Sequence, residues 1–291
     1  MSGKLLIIDG MAYFYRAFYA VKNISRSDGF ATNAIFGFIR MLNRSIRDWQ
    51  PSDLVVVFDG GLPKKRMELL PEYKANRPSM PDELRSQFVP LNKFLKVSNI
   101  HTIKVDLQEA DDVIATIGNS YKSKYEEIFV ATGDKDMMQM IVDNIKMVTV
   151  SGNPVKMGAD EVKAKTGVYP EQIVDWLALI GDNADNIPGV PGVGPKTATK
   201  ILNDIKSLEP LEESISKIEN KKFCEKLSGS IDIISRNIEL VTLDYDVEID
   251  HIDIADFRIK QPNFNELVKF YEEYEFYNFI KELKQPELLL F

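Results

Sequence analysis

The first half of the chain alternates short apolar runs with stretches of helical periodicity. Residues 33–48 repeat apolar side chains at helical spacing, with Ile35, Phe36, Ile39 and Leu42 on one face. The predicted strands are KLLII (4–8), LVVVF (54–58), EIFVA (127–131) and IKMVTV (145–150). Because strands that alternate with helices are typical of a parallel sheet covered by helices, this pattern predicts an α/β fold.

The second half is predicted to be helical. PEQIVDWLALIG (170–181) has a proline at its first turn and a glycine at its end, and another helix is predicted from Pro195. The acid-rich stretch 244–253 is interpreted as a solvated surface. We therefore expect an α/β region at 1–165, a helical region at 166–283 and a short apolar tail at 284–291.

Acidic residues follow the predicted strands. Three of the four strands are followed within three residues by an aspartate beside a glycine. Since ligands bind outside the carboxyl ends of the strands in open α/β sheets, we expect these aspartates in one crevice. EADD (109–112) opens a helix with three more acids, and two aspartates follow the helix 170–181. The nine acids are Asp9, Asp59, Glu109, Asp111, Asp112, Asp134, Asp136, Asp182 and Asp185.

Composition narrows the metal that such acids would bind. Two histidines and one cysteine are too few for a structural zinc site or a disulfide framework, and they suit a reducing, cytoplasmic location. Gathered carboxylates cannot stay ionised without cations, and oxygen ligands select Mg²⁺ or Mn²⁺. Two such ions roughly 3.5–4 Å apart would activate water against a phosphodiester. Carboxylates around metal ions would also account for the net charge of −8.

The stretch GDNADNIPGVPGVGPKTATK (181–200) predicts a contact with phosphate. Gly192 and Gly194 permit positive φ angles and a close backbone approach, and Pro195 suits the first turn of a helix. A helix N-terminus favours anions, and Lys196 and Lys200 add positive charge on the same side. We expect contact with the nucleic-acid backbone independent of base sequence, and an ordinary glycine-rich connector is the alternative.

In sequence order, these motifs resemble the 5′→3′ exonuclease domain of bacterial DNA polymerase I and, more broadly, the structure-specific 5′-nucleases or flap endonucleases. The resemblance extends to about residue 283. The matching segments are IIDG (7–10), VFDGG (57–61), EYKANRPSMPDELRSQ (72–87), EADD (109–112), TGDKD (132–136) and GDNADNIPGVPGVGPKTA (181–198).

The resemblance implies a PIN-like fold with a helical arch at about 62–90 and a helix-three-turn-helix DNA clasp at about 170–205. It also implies two divalent ions and hydrolysis to 5′-phosphate and 3′-hydroxyl products. By resemblance the first metal site is formed by Asp9, Asp59, Glu109, Asp111 and Asp112. Asp134 and Asp136 are expected between the two sites, and Asp182 and Asp185 at the second.

The resemblance also assigns contacts with DNA. Lys74 and Arg77 are expected on the scissile phosphate, and they form the catalytic set together with Asp134 and Asp136. Tyr73 either stacks on a nucleobase or packs in the core. Backbone carbonyls near Pro195 are expected to bind K⁺. The other residues expected to contact DNA are Arg16, Lys64, Lys65, Arg66, Arg85, Gly192, Gly194, Lys196 and Lys200.

The expected substrates are DNA with 5′ flaps, gaps or free 5′ ends, together with RNA–DNA hybrids, in Okazaki-fragment maturation and repair. We expect a monomer that does not bind membranes. A catalytically silent junction binder is the competing hypothesis, but nine acids would only repel DNA there. A phosphatase with Asp9 as nucleophile is excluded because position 11 is Met11. The tail Gln285–Phe291 either packs on its own domain or docks on a sliding clamp.

Overall fold

A six-stranded sheet forms the centre of the protein. The computed structural model describes residues 3–150, 152–250 and 252–283. The strand order is β3-β2-β1-β4-β5-β6, and all neighbours are parallel except β5 and β6. The strands are β1 (Lys4–Asp9), β2 (Asp53–Phe58), β3 (His101–Lys104), β4 (Glu127–Ala131), β5 (Ile145–Val148) and β6 (Lys156–Met157).

Helices cover both faces of this sheet. Those of the first half are α1 (Gly10–Ala20), α2 (Asn33–Trp49), α3 (Lys64–Leu69), α4 (Asp82–Ser86), α5 (Phe88–Val97) and α6 (Ala110–Tyr121). Those that follow are α7 (Ala159–Thr166), α8 (Ile173–Ile180), α9 (Pro195–Ile205), α10 (Leu211–Ser216), α11 (Lys221–Ser228), α12 (Ile231–Val241), α13 (Phe264–Glu273) and α14 (Tyr277–Leu283). A two-stranded antiparallel turn, β7 (Gly181–Asp182) with β8 (Ile187–Pro188), lies between α8 and α9.

The alternation of side chains along β1 separates two hydrophobic cores. Leu5 and Ile7 face a core that also contains Leu177 of α8 and Ile234 of α12. Leu6 faces the other core, which is built from the helices packed on the opposite side of the sheet. Because the second half of the chain contributes to the same core as the sheet, its helices are held against the sheet by buried apolar contacts.

The structure confirms the predicted α/β fold with a mostly parallel sheet flanked by helices. The predicted strands correspond to β1, β2, β4 and β5, although β5 ends at Val148 rather than at residue 150. Strand β3 and helix α1 were not predicted. Within the expected arch at 62–90, the structure has the two short helices α3 and α4 joined by turns. Among the described residues, no helix is long and apolar enough to cross a membrane.

Candidate functional site

The carboxyl ends of β1, β2 and β4 bring acids together at one edge of the sheet. Asp9 ends β1 and caps α1, because its Oδ1 accepts a hydrogen bond from the Ala12 N–H at 2.9 Å. Its Oδ2 accepts one from the Thr132 hydroxyl, just beyond β4, at 2.9 Å. Asp59 follows β2 and accepts from the Ala110 N–H at 3.1 Å. Asp9 thus links the ends of the neighbouring strands β1 and β4, and Asp59 links the end of β2 to the start of α6.

The pKa values show that these acids share one pocket. Burial, followed by the charges of Asp59 and Asp134, raises the pKa of Asp9 to about 6. Burial also raises the pKa of Asp111 well above its ordinary value, and the charges of Asp134 and Asp9 raise it further. Such charge effects on Asp9 and Asp111 require short distances to the neighbouring carboxylates. Asp9, Asp59 and Asp134, which follow three different strands, therefore lie near one another, together with Asp111 of α6.

A second acidic group combines both halves of the chain. Asp136, Asp182 and Asp185 each offer one carboxylate oxygen, and these oxygens lie within 4.8 Å of one another. The Oδ1 atom of Asp136 is buried and has no hydrogen-bond partner. Burial, and then the charges of Asp134 and the other two aspartates, raise the pKa of Asp136 to about 8. An unpartnered buried oxygen in an all-oxygen donor set fits a hard divalent cation.

Asp134 connects the two acidic groups. Burial is the main cause that raises its pKa, and the charges of Asp185 and Asp182 raise it further. It also acts electrostatically on Asp9 on the other side of the pocket. Its backbone N–H donates to the Thr132 hydroxyl at 3.1 Å, and its Oδ1 accepts from the Asp136 N–H at 2.9 Å. The acids therefore form one continuous pocket with Asp134 at its middle.

Glu109 and Asp112 are held differently from the other acids. Both are almost fully buried and are bound by Arg66 of α3. The Arg66 guanidinium donates two hydrogen bonds to Asp112, at 2.6 and 2.8 Å, and also bonds to Glu109. It donates further to the carbonyl oxygens of Leu240 and Thr242, at 3.0 and 3.1 Å. In this structure these two carboxylates balance an internal cation.

Two side chains considered for DNA contact, those of Arg66 and Tyr73, are buried in this structure. Arg66 is only 8% exposed, because its charge is taken up by the buried acids, so it does not face a DNA surface. Tyr73 is 4% exposed, and its hydroxyl lies 3.1 Å from Glu109 and 3.2 Å from Asp185. A ring buried in this way cannot stack on a nucleobase, so the core role holds for Tyr73.

Three further cations border the pocket. Lys74 Nζ bonds to Glu109 and lies 3.4 Å from Asp185. Arg77 pairs with the other oxygen of Asp185. Lys135 lies 3.2 Å from Asp182. Sequence reasoning missed Lys135, although it stands between two pocket acids in TGDKD. These cations offset part of the repulsion among the carboxylates.

The glycine-rich turn has the predicted helix start at Pro195. Gly192 uses the positive φ that glycine permits, at +69°. Gly194, with a φ of −100°, is the extended N-cap residue that precedes α9. Lys196 and Lys200 of α9 are exposed.

The remaining basic residues expected at DNA are exposed. Lys64, Lys65 and Arg85 lie on the short helices α3 and α4. Arg16 of α1 lines a cavity of about 280 Å³ beside Thr132, at the edge of the acidic pocket. Gln285–Phe291, the segment expected to dock on a clamp, lies outside the described residues.

Two family models cover most of the chain. Residues 4–167 match the model described as 5′-3′ exonuclease, N-terminal resolvase-like domain, and residues 168–265 match 5′-3′ exonuclease, C-terminal SAM fold. A 5′-3′ exonuclease of Aquifex aeolicus is 36% identical over 279 residues, which cover 96% of this chain and 94% of the relative. DNA polymerase I of Pseudomonas aeruginosa is 39% identical over 290 residues. These cover 97% of this chain and 31% of the relative, so the chain spans about a third of that protein.

Solved structures share the fold at low sequence identity. The T5 D15 protein co-crystallised with metal ions matches with a TM-score of 0.70 and 22% identity, covering 93% of this chain and 97% of that one. The catalytic core of Rad2 in complex with DNA substrate matches with a TM-score of 0.63 and 16% identity, covering 94% and 88%. Both likenesses agree with the observed sheet and its flanking helices.

The raised pKa values predict how stability depends on pH. The pKa values of Asp136 (about 8) and Asp9 (about 6) lie above the ordinary aspartate value. The folded state therefore binds more protons than the unfolded state, and the metal-free protein should lose stability as the pH rises from about 4 to about 8. Asp136→Asn should raise the free energy of unfolding at neutral pH by about 1–2 kcal/mol and make its pH dependence shallower. Urea unfolding in the presence of chelator measures the free energy of unfolding and its pH dependence. Asp143→Asn, at an exposed side chain, is the control. Parallel pH profiles for wild type and Asp136→Asn would contradict the raised pKa of Asp136.

The buried Arg66 predicts a large loss of stability on its removal. Arg66→Met should lower the free energy of unfolding by about 3–5 kcal/mol, because it leaves buried carboxylates without their cation. Lys65→Met on the same helix is the matched control, since Lys65 is 74% exposed and lies 3.8 Å from Glu239. That change should cost less than about 1 kcal/mol. Similar losses for both variants, measured by urea unfolding, would refute the buried role of Arg66.

Proposed function

The chain belongs to the family of 5′-3′ exonucleases and flap endonucleases, and we propose that it hydrolyses DNA phosphodiester bonds with divalent metal ions at free 5′ ends and 5′ flaps. The cluster of Asp136, Asp182 and Asp185 carries this proposal, because its unpartnered oxygen and its raised pKa suit a bound cation. A junction binder without catalysis would gain nothing from such a cluster, which repels phosphate in the absence of metal.

The acidic pocket divides into two donor sets for the proposed ions. Asp136, Asp182 and Asp185 would hold one Mg²⁺ or Mn²⁺ ion, and Asp9, Asp59, Asp111 and Asp134 would hold the other. Such ions supply a water of lowered pKa and neutralise charge on the phosphate oxygens. Glu109 and Asp112 would support the pocket through Arg66 rather than bind an ion directly, because Arg66 occupies their oxygens. The T5 D15 protein, which shares this fold, was co-crystallised with metal ions, and this supports metal binding in the pocket.

Lys74 and Arg77 would bind the scissile phosphate. Both side chains now contact carboxylates of the pocket. A divalent ion on Asp185 would compete with them, and the phosphate would offer them new oxygen partners. Positive charge fixed beside the phosphate stabilises the charge that develops in the transition state. Asp134 is hydrogen-bonded to the Thr132 hydroxyl and to the Asp136 N–H, and it would hold the two donor sets at a fixed separation.

The DNA backbone would extend from this pocket over exposed cations. Lys196 and Lys200, with the N-terminus of α9, would contact the duplex, and nearby backbone carbonyls would bind K⁺. Arg16, Lys64, Lys65 and Arg85 would contact the strand on the other side. The DNA substrate in the Rad2 complex supports DNA as the ligand. Relatives named DNA polymerase I support a role in DNA replication and repair, which we place in Okazaki-fragment maturation. RNA–DNA hybrids are proposed as further substrates.

A 5′-flap duplex tests this function directly. We expect Mg²⁺ to support cleavage near the flap base with release of a 5′-phosphorylated product, and chelator to abolish it. Asp134→Asn should lose cleavage while it keeps binding to the junction, because the exposed lysines remain. Labels at either end of the flap strand give the polarity, and the exposed Asp143→Asn is the control. Wild-type turnover by Asp134→Asn would rule out the assigned pocket.

Lys74 is expected to act on the chemical step. Lys74→Ala should slow single-turnover cleavage by about 10²–10³-fold, the cost of losing one group that stabilises transition-state charge, with a smaller change in affinity. Lys269→Ala, at a side chain that is 69% exposed, is the control for loss of a lysine. Weakened binding together with an unchanged single-turnover rate would argue against this role.

A further inference from the structure

Two asparagines join the parts of the chain that carry the proposed phosphate-binding cations and the proposed metal ligands. We propose that Asn76 and Asn186 are positioning residues, which fix the turn 72–77 against the turn 182–186. We call this pair of bonds the asparagine clasp. The inference rests on the proposed function, since it concerns the alignment of groups within that site.

The clasp is reciprocal. The Asn186 side-chain amide donates to the Glu72 carbonyl oxygen at 2.8 Å, and the Asn76 side-chain amide donates to the Asn183 carbonyl oxygen at 2.7 Å. Between them the backbone N–H of Lys74 donates to the Asp185 carbonyl oxygen at 2.9 Å. Each turn therefore donates a side-chain amide to the backbone of the other, although more than 100 residues separate them in sequence.

Both turns contain a backbone conformation that needs support. Lys74 has a φ of +57° and Asn186 a φ of +59°. The left-handed region is tolerated by asparagine but disfavoured for lysine, so the surrounding bonds must hold Lys74 there. The same bonds place Lys74 beside Asp185. Because Lys74 keeps this disfavoured conformation where the two turns meet, the contacts between the turns must fix their relative position.

The clasp bonds differ in kind from the ion pairs around them. Lys74 and Arg77 also reach Asp185 through their charges, but the proposed ion and phosphate would replace those pairs. The clasp uses only neutral amides and carbonyl oxygens, so it can persist when the charged partners change. Solvent-exposed hydrogen bonds of this type add little to global stability. A displacement of about 1 Å between catalytic groups, in contrast, can cost about 10²-fold in rate.

The clasp can be removed without disturbing the backbone. Asn186→Gly keeps access to the left-handed conformation but removes the amide donor, and Asn76→Asp is isosteric and has no N–H to donate. We expect each variant to lower kcat about 10- to 100-fold with KM changed less than about threefold. Asn76→Gln retains a donor and should recover part of the rate. In metal-free protein, amide hydrogen exchange in segment 72–77 should accelerate in both loss variants.

Asn99→Gly is the matched control. Asn99 also has a positive φ, of +53°, and its side-chain amide also donates to a distant backbone carbonyl, that of Gln261, away from the acidic pocket. The Asn99→Gly variant should leave kcat unchanged, and it should leave amide hydrogen exchange in segment 72–77 unchanged. Wild-type kcat or unchanged exchange in Asn186→Gly and Asn76→Asp would overturn the proposal, as would an equal loss in Asn99→Gly. An inactive wild-type protein on flaps with Mg²⁺ would instead contradict the proposed function, and the exchange experiment would still test the clasp.

Discussion

Repulsion among carboxylates in a small pocket is the constraint that shapes this molecule. Burial and the charges of neighbouring acids raise the pKa values of Asp9, Asp111, Asp134 and Asp136, so the metal-free pocket is held at a cost in free energy. Part of that cost is offset by internal cations. Arg66 neutralises the buried Glu109 and Asp112, whereas Lys74 and Arg77 pair with Asp185 at the side where substrate would bind. The negative charge that these cations leave uncompensated is centred on Asp136 and suits a divalent cation.

The fold can maintain such a pocket because the acids stand on a rigid support. The strands of a parallel sheet are buried on both faces, and helices of the second half contribute to the cores on both of those faces. Asp182 and Asp185 are thereby fixed relative to Asp9 and Asp134, although they come from the other half of the chain. The asparagine clasp adds a neutral connection at the entrance, where charged partners would be exchanged during the proposed reaction.

Much of this arrangement could be predicted from sequence, for a physical reason. Apolar runs mark buried strands, and parallel strands bring their carboxyl ends to one edge, so an acid that follows each run is placed by topology alone. Strand β3 escaped prediction because only Ile103 of its four residues is buried, which leaves no apolar run. The burial of Arg66 and Tyr73 could not be inferred, since their hydrogen-bond partners lie from 36 to 176 residues away in sequence and local patterns do not reveal such pairing. For the same reason the clasp between turns is visible only in three dimensions.

Anomalous scattering from crystals grown with Mn²⁺ tests the central claim most directly, because it locates each ion without reference to activity. We predict an ion coordinated by oxygens of Asp136, Asp182 and Asp185, with Asp134 between it and a second ion near Asp9. Lys74 and Arg77 should have moved away from Asp185. Ions found only at surface carboxylates, or an unchanged pocket with no anomalous peak at saturating Mn²⁺, would contradict the proposed metal-binding pocket.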